Sequence, residues 1–156
     1  MHWRYFISLV LIFGTSLWFP SALYAQEKTS LQNISGHWKG IITQEEGGYR
    51  AEYKFELFIR IRDHKISGRS YVFVEDLNAE MEITGTIRPN SEIYLQDIKI
   101  IGHKERPGME WCLRQLFLFY KIENEKIILE GRWQGKTSFS TCTPGKVKLT
   151  KVDPRA

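Results

Sequence analysis

Hydrophobic and polar residues alternate with a period of two along most of the chain. The clearest case is residues 50–62, where one face carries Tyr53, Phe55, Leu57, Ile59 and Ile61 and the other face is charged. Alternation over this length indicates a β-strand with one buried face. Comparable segments predict about eight strands, over residues 35–44, 50–62, 66–74, 78–88, 92–101, 111–122, 126–135 and 145–152.

Short polar segments separate these strands, and no long helical pattern remains in residues 35–152. Short turns favour antiparallel pairing between neighbours in sequence. Closing such a sheet on itself removes its exposed edges, which an exported protein without helices needs. We therefore predict an all-β fold, an up-and-down antiparallel β-barrel of about eight strands.

One strand departs from regular alternation. Ile93 and Leu95 are out of phase with Ile98 and Ile100, which predicts a β-bulge near Asp97. A carboxylate buried in so apolar a strand would need a partner. We expect the bulge to expose Asp97 instead.

The first 25 residues have the three-part pattern of a secretory signal. Arg4 precedes an apolar run, and small residues follow as far as Ala25. An uncleaved membrane anchor is the alternative, because residues 5–25 are about long enough to span a bilayer. We predict a signal peptide (1–25), an N-terminal arm (26–34), a barrel domain (35–152) and a tail (153–156). The mature protein is then periplasmic or secreted, without stable membrane insertion.

The chain has two cysteines, Cys112 and Cys142, both after the predicted signal. An oxidising compartment favours their pairing. A metal or redox role is the alternative, but there is no Cys-x-x-Cys spacing and no histidine next to either cysteine. The sequence predicts a structural disulfide.

Several short motifs carry a family resemblance. They are residues 36–40 (Gly-His-Trp-Lys-Gly), the repeated apolar-polar-glycine strand centres, residues 131–133 (Gly-Arg-Trp) and the closing residues 149–152. Together they resemble the lipocalin and avidin-type calycin barrels. The resemblance implies a structural role for Trp38, whose indole would pack the base of the barrel. Residues 26–33 and the opening that follows resemble the free arm of bacterial metalloprotease-inhibitor barrels.

Composition and motifs exclude several function classes. A net charge of +4 with dispersed cations does not predict nucleic-acid binding. His37, His64 and His103 lack metal-ligand spacing, and no phosphate loop or catalytic motif is present. We expect no metal, no cofactor and no enzymatic activity.

The remaining candidate chemistry is the aromatic content of the strands. A barrel of eight strands either packs its interior with side chains or leaves room for one ligand. We predict a non-enzymatic binding protein that holds a small hydrophobic or amphipathic ligand. The alternative is a protein-interaction module, such as an exported hydrolase inhibitor. The candidate ligand-binding residues are Tyr53, Phe55, Tyr71, Phe73, Arg114, Phe117, Phe119 and Trp133.

Overall fold

The structure, a computed structural model, describes residues 33–152. This part of the chain contains eight β-strands, which confirms the all-β prediction. The predicted signal peptide, most of the predicted arm and the tail lie outside the described residues. The strands are β1 Gly36–Thr43, β2 Glu52–Arg62, β3 Lys65–Val74, β4 Leu77–Ile87, β5 Glu92–Lys104, β6 Leu113–Glu123, β7 Lys126–Lys136 and β8 Thr141–Lys151.

The strands form one closed, up-and-down barrel. Each strand pairs antiparallel with the next along the chain, and β1 pairs with β8 to close the ring. This architecture is the one predicted and is compatible with a calycin-like fold.

The two ends of the barrel differ in their connections. At one end, here called the turn end, Asp63–His64 and Asn124–Glu125 connect their strands with both residues of each turn at positive φ. Two-residue turns of this kind match the right-handed twist of paired strands. The opposite end, here called the loop end, carries the longer segments 44–51, 105–112 and 137–140. Binding residues tend to lie on such longer loops.

Side chains fill the turn end of the interior. Trp38 is fully buried there, and its indole N–H donates to the carbonyl oxygen of Ile34 at 3.0 Å. Ile34 itself belongs to the buried core, although the sequence places it in the arm. Phe55 and Leu57 are also fully buried. The structural role expected of Trp38 agrees with this packing.

Glycines allow the strands to approach closely at two interior positions. A Cβ on Gly131 would lie 1.9 Å from the carbonyl oxygen of Phe117, and one on Gly68 would lie 1.9 Å from that of Phe58. Both contacts are with backbone atoms, which cannot rotate away. The glycines are therefore required by the curvature of the barrel.

The β5–β6 ladder covers less than half of β5. β6 pairs only with residues 92–96 of β5, whereas β4 pairs with β5 as far as Lys104. Two register shifts in the β4–β5 ladder leave Ile98 and Ile101 unpaired with β4. The predicted bulge is confirmed, and a second one follows it. Bulges and lysines are common protections of an open strand edge, and Lys99 and Lys104 lie on this one.

Candidate ligand-binding site

A cavity of about 100 Å³ lies inside the loop end of the barrel. We call it the loop-end pocket. Its walls are mainly apolar, and its polar lining consists of a few side chains. The apolar lining includes Ile42, Val72, Val74, Met81, Met109 and Trp133, and the polar lining includes Gln44, Tyr53, Glu110 and Arg114.

The segment that precedes β6 covers part of the pocket. Met109, Glu110 and Trp111 of this segment line it. A disulfide ties the segment to β8 by joining Cys112 to Cys142, with a Cα–Cα distance of 6.4 Å. The predicted disulfide is therefore present, and it holds one wall of the pocket.

Arg114, one of the lining residues, belongs to a buried ion pair. The Nε of Arg114 donates to Oδ2 of Asp97 at 2.7 Å, and its Nη2 donates to Oγ of Ser70 at 2.9 Å. The guanidinium also lies 4.8 Å from the ring centre of Phe55. Arg114 is 3% exposed and Asp97 2% exposed. Burial of this kind is tolerated because each charge has its partner and its hydrogen bonds.

The expectation that the bulge exposes Asp97 is wrong, because the side chain is buried. Its Oδ2 accepts from the backbone N–H of Arg114 at 2.9 Å, at the point where the β5–β6 ladder ends. Its Oδ1 accepts from the hydroxyl of Ser70 at 3.0 Å. The carboxylate thus takes the place of a missing backbone acceptor and neutralises Arg114. The extra residue of the bulge is Ile98, which is exposed.

The indole nitrogen of Trp111 is buried without a hydrogen-bond partner. The residue is 9% exposed, and its indole N–H is the one buried side-chain donor or acceptor in residues 33–152 without a hydrogen-bond partner. By contrast, Trp133 donates to the carbonyl oxygen of Thr43 at 2.7 Å. An unsatisfied buried donor costs about 1–3 kcal/mol. The nitrogen itself is inaccessible to solvent, so it lies within the packed wall and does not face the open space of the pocket.

Hydrogen bonds fix the polar side chains at the rim. The hydroxyl of Tyr53 donates to Gln44 Oε1 and accepts from the backbone N–H of Arg50. Burial is the main cause that raises the pKa of Tyr53 above its ordinary value of 10.0, so the hydroxyl stays protonated at neutral pH. Glu110 accepts from the backbone N–H of Ser138 at 2.7 Å and from its hydroxyl at 3.0 Å. These bonds hold the pKa of Glu110 below its usual 4.5, and the carboxylate stays ionised.

The structure brings half of the predicted ligand-binding residues to the interior. Tyr53, Arg114 and Trp133 line the loop-end pocket. Phe55 is fully buried beneath it, against the guanidinium of Arg114. These four side chains therefore lie in the wall of one pocket or directly beneath it.

The other four predicted residues lie on the outer face of the barrel. Tyr71 and Phe73 alternate with the buried Val72 and Val74, and Phe117 and Phe119 alternate with the buried Leu116 and Leu118. These four side chains therefore do not line the interior of the barrel, because successive side chains of a strand point to opposite faces.

Outside the barrel, the aromatic rings contact one another. The ring of Phe58 stacks on His37 at 3.9 Å and meets Tyr71 edge-on at 5.6 Å. On β5 and β6, Phe117 contacts Tyr94 at 5.4 Å, and the guanidinium of Arg88 lies 4.6 Å from the Tyr94 ring centre. The outer aromatic residues thus cover each other on the sheet surface.

Sequence reasoning missed the contribution of the 105–112 segment. The alternation places Trp111 at the start of a strand and Met109 in the polar connection before it, yet both line the pocket. Their proximity to Cys112 was the available signal, because a disulfide holds flanking residues against the strand it joins.

Comparison with protein-family models, with curated proteins and with solved structures finds no match. The class is therefore defined by the fold: a closed, eight-stranded, antiparallel barrel. Within residues 33–152 no helix has the length and apolar character required to cross a membrane. The same residues contain no group of three or more histidine, cysteine or acidic side chains placed to hold a metal ion.

Proposed function

We propose that the protein is an exported, non-enzymatic binding protein that holds a small hydrophobic or amphipathic ligand, in the manner of a lipocalin. The observation that carries this proposal is the loop-end pocket, whose apolar wall surrounds a few fixed polar groups. Small-molecule sites commonly have this composition. Export is supported by the N-terminal pattern of the sequence and by the disulfide.

The volume of the pocket limits the ligand. A cavity of about 150 Å³ accepts benzene, and typical drug-sized sites measure about 300–1,000 Å³. At about 100 Å³ the loop-end pocket has room for a small ring or a short branched group. Because Trp38, Phe55 and Leu57 fill the interior below, a long acyl chain has no space to enter.

Ligand titration with a pocket-filling variant tests the proposal. Small molecules that co-purify with natively exported protein are identified by mass spectrometry and then titrated into delipidated protein, with tryptophan fluorescence as the readout. Val72→Phe places a larger side chain in the pocket wall and should weaken binding at least tenfold. Phe73→Leu, on the adjacent outward position, is the matched control and should leave affinity unchanged. Equal affinity in both variants would refute binding at this pocket, with circular dichroism confirming that each folds.

A second candidate function is a protein-interaction module, such as an exported hydrolase inhibitor. The observation that favours it is Phe139, which is 74% exposed in the 137–140 turn. Ser138 of this turn contacts Glu110 of the pocket lining, so the exposed ring lies near the pocket. Exposed aromatic side chains are typical anchors of protein interfaces.

One deletion and one substitution distinguish the two surfaces that could carry this second function. Removal of residues 26–32 should abolish inhibition of a partner hydrolase if the arm carries the interaction. Phe139→Ser should abolish it if the loop end does. Retention of partner binding in both variants would leave neither surface responsible and would contradict the candidate.

A further inference from the structure

We propose that residues 105–110 form a strap that gates the loop-end pocket, and that the side chain of Arg106 is the latch of this strap. The inference concerns access to the pocket and rests on the proposed binding function. Three observations support it: the strap is fixed at both ends, its middle has few backbone contacts, and Arg106 joins it to two other segments of the loop end.

Both ends of the strap are fixed to the barrel. On one side it follows Lys104, which pairs with β4. On the other side it leads into the buried Trp111 and into Cys112, which the disulfide joins to β8. Movement of the strap is therefore confined between two fixed points. Met109 and Glu110 carry its contribution to the pocket lining.

Few backbone contacts hold the middle of the strap. In the described part of the chain, its one backbone–backbone hydrogen bond is internal and joins the N–H of Met109 to the carbonyl oxygen of Arg106 at 3.0 Å. Its polar contacts with other elements are made by the side chains of Glu105, Arg106 and Glu110. Met109 adds apolar packing against the core. Segments held in this way open at a lower free-energy cost than the strands beside them.

Arg106 connects the strap to two other segments of the loop end. Its Nη1 donates to the hydroxyl oxygen of Tyr49 at 2.9 Å, and Tyr49 lines the pocket from the 44–51 loop. Its Nη2 donates to Glu75 Oε2 at 2.7 Å and to Asp76 Oδ1 at 3.4 Å, in the turn between β3 and β4. Arg50 of the 44–51 loop also pairs with Glu75. Loss of the Arg106 guanidinium therefore detaches the strap and leaves the other two segments joined.

The exposure of this latch sets its strength. The side chain of Arg106 is 50% exposed, and those of Glu75 and Asp76 are 33% and 60% exposed. Exposed ion pairs are individually weak and are screened by salt. A latch of this strength keeps the strap closed for most of the time and lets it open without unfolding of the barrel.

The side chain of Trp111 makes a direct test possible. Its indole nitrogen is inaccessible to solvent, so its N–H exchanges with deuterium only when the wall around it opens. In Arg106→Gln this proton should exchange at least about threefold faster, measured by NMR, whereas the indole proton of Trp38 at the turn end should exchange at an unchanged rate. Lys99→Gln removes an exposed ion pair with Glu82 on β5 and β4; it is the matched control and should change neither rate. Sodium chloride at about 0.5 M should speed the exchange of Trp111 in the unmodified protein and have less effect in Arg106→Gln.

Oxidation of Met81 measures entry into the pocket. Its side chain lines the pocket and is fully buried, so hydrogen peroxide has to enter in order to reach it. The peroxide transfers one oxygen atom to the thioether sulfur and leaves as water, and the sulfoxide is measured by mass spectrometry. The initial rate of Met81 oxidation should rise at least about threefold in Arg106→Gln and stay unchanged in Lys99→Gln.

Equal exchange of Trp111 in Arg106→Gln and in the unmodified protein would overturn the latch. An equal increase for Trp38 would also overturn it, because the effect would then be a loss of global stability. Faster exchange of Trp111 without faster oxidation of Met81 would show that the strap opens but does not control entry, and would overturn the gating. Neither measurement uses a ligand. The strap can therefore fail while the ligand titration succeeds, and a failed titration with both rates raised would refute the binding function alone.

Discussion

Replacement of Asp97 by Asn tests the buried ion pair, because it keeps the shape of the side chain and removes its charge. Arg114 would then be left as an uncompensated cation at 3% exposure. Only one acceptor oxygen would remain. The amide nitrogen would therefore face either the two N–H groups of Arg114 that Oδ2 accepts from, at 2.7 Å and 2.9 Å, or the Ser70 hydroxyl that Oδ1 accepts from. Breaking a buried pair from one side costs about 3–5 kcal/mol, against a total stability of about 5–15 kcal/mol for a domain.

Urea unfolding followed by tryptophan fluorescence measures the loss. Asp97→Leu combined with Arg114→Met should recover part of the stability lost in Asp97→Asn, because apolar replacement of a whole buried pair is often neutral. Recovery is incomplete because the backbone N–H of Arg114 and the hydroxyl of Ser70 lose their acceptor. Glu130→Gln is the control: its exposed pair with Lys121, at 2.8 Å, should contribute less than about 1 kcal/mol. A loss below about 1 kcal/mol in Asp97→Asn, or no recovery in the double variant, would refute the reasoning.

Two further predictions concern the covalent link and the glycine contacts. Reduction of the Cys112–Cys142 bond, which spans 30 residues, should lower the free energy of unfolding by about 3–4 kcal/mol, measured as a shift in urea midpoint; an unchanged midpoint would contradict a stabilising role. Gly131→Ala should lower the thermal midpoint markedly, since its Cβ would lie 1.9 Å from a carbonyl oxygen. Gly102→Ala is the control and should have little effect, because no atom lies within 4 Å of its Cβ. Equal midpoints for the two variants would show that the strands can move apart without loss of stability.

The fold was predictable because each strand carries its own alternation of apolar and polar residues. Alternation over residues 50–62 identified β2 directly, and the phase change after Leu95 identified the bulge. The second bulge, at Ile101, was missed because Ile100 and Ile101 are both apolar and give no phase signal.

The pocket was predictable only in part, because alternation fixes two faces without saying which one is inside. In β3 the aromatic residues Tyr71 and Phe73 suggested the buried face, yet Val72 and Val74 occupy it. The interior of an eight-stranded barrel is just wide enough for its side chains, and large rings can instead cover one another outside. The position of Trp111 in the pocket wall depends on how the 105–112 segment packs against the barrel, and no local sequence pattern contains that information.

The meander order of the strands has a kinetic consequence. Seven of the eight pairings join neighbours in sequence and can form as hairpins, but the β1–β8 ladder brings Trp38 beside Lys151. Closing so long a loop costs chain entropy before any contact compensates for it. Ring closure is therefore the step that makes folding cooperative, and an unfinished sheet with two open edges is the species that chaperones in the cell would have to shield.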